Sequence, residues 1–289
     1  MTKAMEAVSA VKMRKSQTVA ISARPYALTA LSILHEISGK IDNSENHFPL
    51  LTKNETDLHT VAIITSDKGL AGSFNSQVLR EAEKFISKLD GKIEIVAIGK
   101  KARDYFKNRR SVSKEFLGNG NFGTLDETKH ISKYLLENFL EKKPESTTLI
   151  YMNFVSAMRQ EVTVRTLLPI TTEDLEKIIS SITPLHGRYA NIPKTILEIG
   201  RNQEESLLIE PNPKELLGKL LPELLEIEVM HAILEANASE HSARMIAMKN
   251  ASDNAKELVS DLTVLYNKAR QASITKELSE ITAGKEALQ

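Results

Sequence analysis

ELLEIEVMHAILEANASEHSARMIAMKNASDNAKELVSDLTVLYNKARQASITKELSEITA, residues Glu223–Ala283, runs for 61 residues without a proline or a glycine. It is rich in Ala, Leu, Glu, Lys and Met, which lose little side-chain freedom in a helix. Apolar residues recur every three or four positions: Leu224, Ile227, Met230, Leu234 and Ala238, then Ala255, Leu258, Leu262, Leu265, Ala269 and Ala272. That is the helical period, held far beyond an ordinary globular helix. At 1.5 Å per residue one continuous helix would measure roughly 90 Å, longer than a domain of this size is wide. Such a helix must leave the body as a rod. An amphipathic helix gains most of its stability from packing, so the rod is expected to have a partner. The small residues Ala236, Ala238, Ala243, Ala247, Ala251 and Ala255 would let a second helix approach closely, which predicts a two-stranded coiled coil.

The partner is sought at the other end of the chain. Thr2 to about Ile37 keeps the same period through Ala4, Met5, Val8, Val11, Val19, Leu28, Leu31 and Leu34, with a bend expected at Pro25. Residues 1–40 carry six Lys/Arg against two Glu, whereas residues 214–289 carry nine Lys/Arg against twelve Asp/Glu. Opposite net charge favours pairing of the two termini, though only modestly for exposed groups. An antiparallel hairpin of the terminal helices follows.

Between them the period changes. Short buried strands are predicted at Leu58–Thr65, Ile93–Gly99, Val112–Leu117 and Thr148–Phe154, with an edge or antiparallel strand at Glu161–Ile170 and one more at Ser206–Glu210. Helices are predicted from about Ser76 to Leu89, through Tyr105 to Arg109, and from Asp126 to Leu140. The alternation predicts a small Rossmann-like three-layer α/β domain. The chain therefore divides into a shaft helix and loop (residues 1–57), the α/β domain (58–210) and a second shaft helix (211–289), with a kink expected at Pro222.

Composition removes several classes of function. Lys+Arg and Asp+Glu both number 38, without the basic surplus of a general nucleic-acid binder. Cysteine is absent, which excludes disulfides, thiolate metal sites and cysteine nucleophiles. No apolar run of 18 residues is present, so direct membrane insertion is not expected. The N-terminus lacks a signal peptide's apolar centre, as expected of a protein made and kept in the cytosol. The seven histidines form no HxxxH or HExxH pair, and no GxSxG or marked carboxylate couple appears. No catalytic, cofactor or metal residue is therefore nominated.

Two loops remain. Gly118-Asn119-Gly120-Asn121-Phe122-Gly123 matches GxGxxG, whose glycines admit a pyrophosphate at a helix N-terminus. It follows the third strand rather than the first, and no acidic residue closes the next strand to hold a ribose. A flexible loop is the better reading. Ser66-Asp67-Lys68-Gly69-Leu70-Ala71-Gly72-Ser73-Phe74-Asn75 lies beyond the C-terminal end of a buried strand, where α/β folds place ligands. It lacks the GK[ST] ending of a phosphate loop. Ligand loop and protein-contact loop both stay open on these residues.

TKAMEAVSAVKMRKSQ (residues 2–17), ITSDKGLAGSFN (64–75), EPNPKELL (210–217), ASEHSARMIAMKNASDNA (238–255) and YNKARQASITKELSEITAG (266–284) together resemble the γ subunit of F-type ATP synthase. Residues 38–57 and 100–205 match poorly. The resemblance implies a non-catalytic central rotor shaft, an antiparallel coiled coil inside a ring of α and β subunits. The α/β domain would stand as a foot against the ε subunit and the membrane ring of c subunits. It also implies a peripheral place on the cytoplasmic face of a bacterial inner membrane. By residue match, Arg270 and Gln271 would meet a β-subunit loop and Lys68 an acidic β segment. An arginine often stands at the latter place, so a non-forked ion pair is implied here. Family members have further helical turns before TKAM, so the native chain is expected to begin upstream of Met1. The alternative is a nucleotide-dependent enzyme built on the α/β domain.

Overall fold

A computed structural model describes residues 1–38, 49–118, 120, 124–170 and 213–287. Helix α1 (Thr2–Ser38) leads to a five-stranded α/β unit, and helix α5 (Pro213–Ala287) closes the chain. The unit alternates β1 (Leu58–Ile64), α2 (Phe74–Ile86), β2 (Lys92–Ile98), α3 (Lys100–Phe106), β3 (Val112–Phe116), α4 (Leu125–Lys142), β4 (Ser146–Phe154) and β5 (Gln160–Leu168). The strand expected at Ser206–Glu210 falls outside the described residues.

The strand order is β3-β2-β1-β4-β5. β1 is parallel to β2 and β4, β2 is parallel to β3, and β5 runs antiparallel to β4. The order reverses beside β1, so right-handed crossovers place α2 and α3 on one face of the sheet and α4 on the other. The central strands are apolar on both faces. Val61–Ile64, Ile95–Ile98 and Leu149–Met152 are all buried, as expected where helices cover both sides of a parallel sheet. Val78, Ala82 and Ile86 of α2, Ala102 and Phe106 of α3, and Ile131, Leu135 and Phe139 of α4 complete this core. A fully buried side chain of this size contributes about 1.5–3 kcal/mol, so these layers hold the unit together.

α5 is a single helix of 75 residues, and it does not break at Pro222. A proline at that place cannot donate to the carbonyl of Gly218, and the glycine gives the turn freedom to adjust. α1 likewise runs through Pro25 without interruption. The two helices are antiparallel: Ala20 packs on Met230 and Leu234, while Met1, Met5 and Lys12 lie beside Glu240, His241 and Arg244.

From Ile227 to Ser242 every residue of α5 is buried, because the helix lies between α1 and the α/β unit. α5 packs on α4 and covers β4. From Asp253 to Gly284 every residue is exposed. The expected coiled coil therefore holds along the lower part of α5 and not along the rest. Leu262 is 54% and Leu265 62% exposed because no described residue packs against them. Among the described residues, no helix is long and apolar enough to cross a membrane.

Candidate functional site

The loop following β1 is built backbone-first. Ser66 N–H donates to Asn75 Oδ1 at 3.0 Å, and the Ser66 hydroxyl donates to the Lys68 carbonyl at 2.5 Å. The Asp67 carboxylate accepts from Lys100 N at 3.0 Å and from Gly118 N at 2.9 Å. One side chain thus caps α3 and ties down the loop after β3. Leu70 and Gly72 adopt left-handed backbone (φ 62° and 55°), a conformation that glycine tolerates and leucine only when held.

The holding group is Arg244 on α5. Its Nη2 lies 2.6 Å from Glu240 Oε1 and donates to the carbonyls of Lys68 (3.3 Å) and Gly69 (3.2 Å). Nε donates to Gly69 O as well, at 3.3 Å. Nη1 lies 3.3 Å from His241 Nδ1, and His241 Nε2 lies 3.2 Å from Gly120 O. Arginine is always a donor, so Nδ1 accepts and Nε2 carries the proton that Gly120 receives. The Arg244 and Glu240 side chains are only 8% and 5% exposed. Burial pushes the Glu240 carboxyl up against the opposing pull of Arg244. Burial also lowers His241 to about 4, with the Arg244 charge adding to the effect, so the imidazole is neutral at physiological pH.

A cavity of about 770 Å³ opens where this cluster meets the first turns of α1, lined by Met5 and Val8 on one side and Leu70 and Leu117 on the other. Lys68 is exposed beside it, and its ammonium makes no hydrogen bond or ion pair among the described residues. Arg270 and Gln271 lie far off on the free part of α5, 26 residues beyond Arg244, or roughly 40 Å of helix. Their side chains are exposed, and so are those of Ala269 and Ala272. The structure therefore does not bring Lys68 together with Arg270 and Gln271. Of the GxGxxG loop, Gly118 and Gly120 are described. The Gly118 amide is already given to Asp67, and the Gly120 carbonyl to His241.

Below the cluster, α5 is fastened to the sheet by polar side chains. Glu235 Oε2 accepts from Phe154 N at 2.8 Å, Ser239 donates to Met152 O at 3.2 Å, and Ser242 donates to Ala157 O at 2.6 Å. His231 Nε2 sits 3.5 Å from Glu235 Oε1. Burial pushes the Tyr151 hydroxyl beneath them up to about 12. Sequence reasoning passes over this row. The Glu240–Arg244 spacing of four is visible in the residues, but nothing local says that the pair is buried.

Fold and cluster together define a class of protein: an α/β unit clasped to the base of a long helical shaft, whose upper half stands clear of it. Comparison with known proteins makes this specific. The family profile ATP-synt, described as ATP synthase, matches residues 1–288. The ATP synthase gamma chain of Picosynechococcus sp. is 37% identical over 99% of this chain and 94% of that protein. That of Chlorobium phaeobacteroides is 37% identical over 100% and 92%. This chain belongs to the ATP synthase gamma-chain family. Its fold is shared with the central stalk/c-ring structure of the Tetrahymena thermophila mitochondrial ATP synthase (TM-score 0.59, 22% identity, 87% of this chain and 99% of that one). It is shared too with the rotor of the Euglena gracilis mitochondrial enzyme (TM-score 0.55, 17% identity, 94% and 93%).

Proposed function

We propose that this chain is the central rotor shaft of an ATP synthase, performs no chemistry itself, and links rotation to ATP synthesis or hydrolysis in partner subunits. One observation carries the reading: a 75-residue helix fixed at its base by α1 and the α/β unit, with residues 253–284 wholly exposed. A rod held at one end and bare at the other is what turning inside a ring of α and β subunits requires. The exposed seam of Leu258, Leu262 and Leu265 and the cations beside it then supply an uneven surface that differs toward each catalytic subunit. Lys68 is assigned to an acidic β segment, and Arg270 and Gln271 to a β-subunit loop. The α/β unit stands at the foot against the ε subunit and the c-subunit ring. The complex would hold this chain peripherally on the cytoplasmic face of a bacterial inner membrane.

The test is co-purification from the native source. Recovery with α, β, ε and c subunits is expected; recovery of the chain alone would contradict the reading. The competing view of the α/β unit as a nucleotide site predicts micromolar ATP or NAD binding abolished by Gly120→Val. Calorimetry on the purified chain is expected to give none, since the Gly118 amide is already engaged by Asp67.

A further inference from the structure

Lys68 stands on a loop that Ser66 and Asn75 shape but do not fasten to α5. Gly69 leaves the turn unconstrained by a Cβ, and Leu70 and Gly72 need left-handed conformations. A side chain presented by such a loop transmits force only if the loop is fixed to the shaft. One buried guanidinium meets that need, since Arg244 Nε and Nη2 reach Gly69 O and Nη2 also reaches Lys68 O. The planar fork is locked from behind by Glu240 and from the side by His241. His241 in turn reaches Gly120, and Asp67 joins Gly118 to Lys100, so the loops after β1 and β3 form one block with α5. The block sits where the helix leaves the protein, since among the described residues Met248 is the last buried one of α5.

We propose that Arg244 is the positioning residue for the domain's partner contact: braced by Glu240 and His241, it fixes the Lys68 backbone to α5 so that Lys68 and the free rod turn as one body. This rests on the reading of Lys68 as a contact to an acidic β segment. Lysine cannot reproduce the role, because one ammonium cannot serve Glu240, two carbonyls and an imidazole in the fixed directions of a guanidinium.

The test uses the assembled complex with Arg244→Ala, Arg244→Lys, Lys68→Ala and the Lys68→Ala/Arg244→Ala pair. Two things are read: hydrogen exchange of amides 66–72, and ATP turnover. Loss of the charge-assisted bonds should speed exchange of 66–72 by about tenfold or more in Arg244→Ala, less in Arg244→Lys, with residues 224–236 unchanged. Turnover should fall in Arg244→Ala and fall little further when it is added to Lys68→Ala, because the two changes break the same link. Unchanged exchange of 66–72 overturns the proposal, and so do turnover losses that simply multiply. If Lys68→Ala alone leaves turnover intact, the Lys68 contact falls, while the exchange data still judge the clasp. Should Arg244→Ala fail to assemble because Glu240 is left buried and unpaired, Glu240→Gln/Arg244→Met removes both charges together and is read in the same way.

Discussion

Residues 224–244 and 253–284 belong to one unbroken helix with similar composition and the same apolar period, yet they live in opposite surroundings. The lower stretch is enclosed by α1 on one side and β4 and α4 on the other, and it buries even Glu228, Glu235, Glu240 and Arg244. The upper stretch exposes Leu262, Leu265 and Tyr266. The lower stretch is therefore where folding free energy resides, and the upper stretch contributes little to the stability of the lone chain. An exposed helix without a partner keeps its surface for contacts outside the chain, and that is the division of labour a driven shaft needs.

The contrast can be broken most sharply at the two arginines. Arg244→Ala strands Glu240 in a dry site and should cost the lone chain about 3–5 kcal/mol, whereas Arg270→Ala should stay within about 0.5 kcal/mol. Chemical denaturation of the two variants side by side checks this, and equal losses would erase the distinction. Next in size is a pair of apolar truncations. Ile233→Ala removes a fully buried side chain and should cost about 2–4 kcal/mol. Leu262→Ala, already half in water, should cost under about 1 kcal/mol.

A smaller effect is expected from pH. Burial holds His241 at about 4 in the folded chain, against a usual 6.5. As pH falls from about 6.5 to 4, the unfolded chain takes up a proton that the folded chain refuses, so stability drops across that window and levels off below it. The contribution is at most about 3 kcal/mol, and His241→Gln should remove it, giving a flatter stability curve between pH 6.5 and 4. Lys12 on α1 and Arg244 on α5 face this imidazole, and Asp67 on the loop faces the neighbouring Glu240. Glu240, with its carboxyl raised by burial, works in the opposite sense and gains stability as pH falls, so the comparison is between variant and parent at each pH. Identical slopes in the two proteins would mean that His241 titrates freely and the clasp is looser than drawn. Least of all, Lys68→Ala should leave the melting temperature of the lone chain almost unmoved, since its side chain has no partner among the described residues.

Much of this architecture is legible in the residues themselves. The proline- and glycine-free run forecasts the rod, and the apolar strings VAII, IVAI and LIYM forecast the buried parallel strands, because burial on both faces demands continuous apolar sequence. How far the coiled coil extends is not legible. Leu258, Leu262 and Leu265 record which side of the helix is apolar, but not whether anything within the chain covers it. Pro222 does not end the helix, because the proline sits a turn beyond a glycine that gives the backbone freedom to adjust. Glu240, His241 and Arg244 are not singled out by the sequence, since helical spacing carries no information on the loop that folds over them from 175 residues away. Lys68, Arg270 and Gln271 come from resemblance, and the structure adds that all three are exposed.

The central claim is that the free half of α5 serves a partner and not its own fold. Arg270→Ala and Gln271→Ala together, placed in the reconstituted complex, test it directly through the ATP turnover rate beside thermal unfolding of the purified chain. Truncating an arginine that is desolvated against a partner's carboxylate costs about 2–5 kcal/mol, so turnover should fall more than about tenfold while the lone chain melts at nearly the same temperature. Unchanged turnover, or a large drop in the melting temperature of the chain alone, would contradict it.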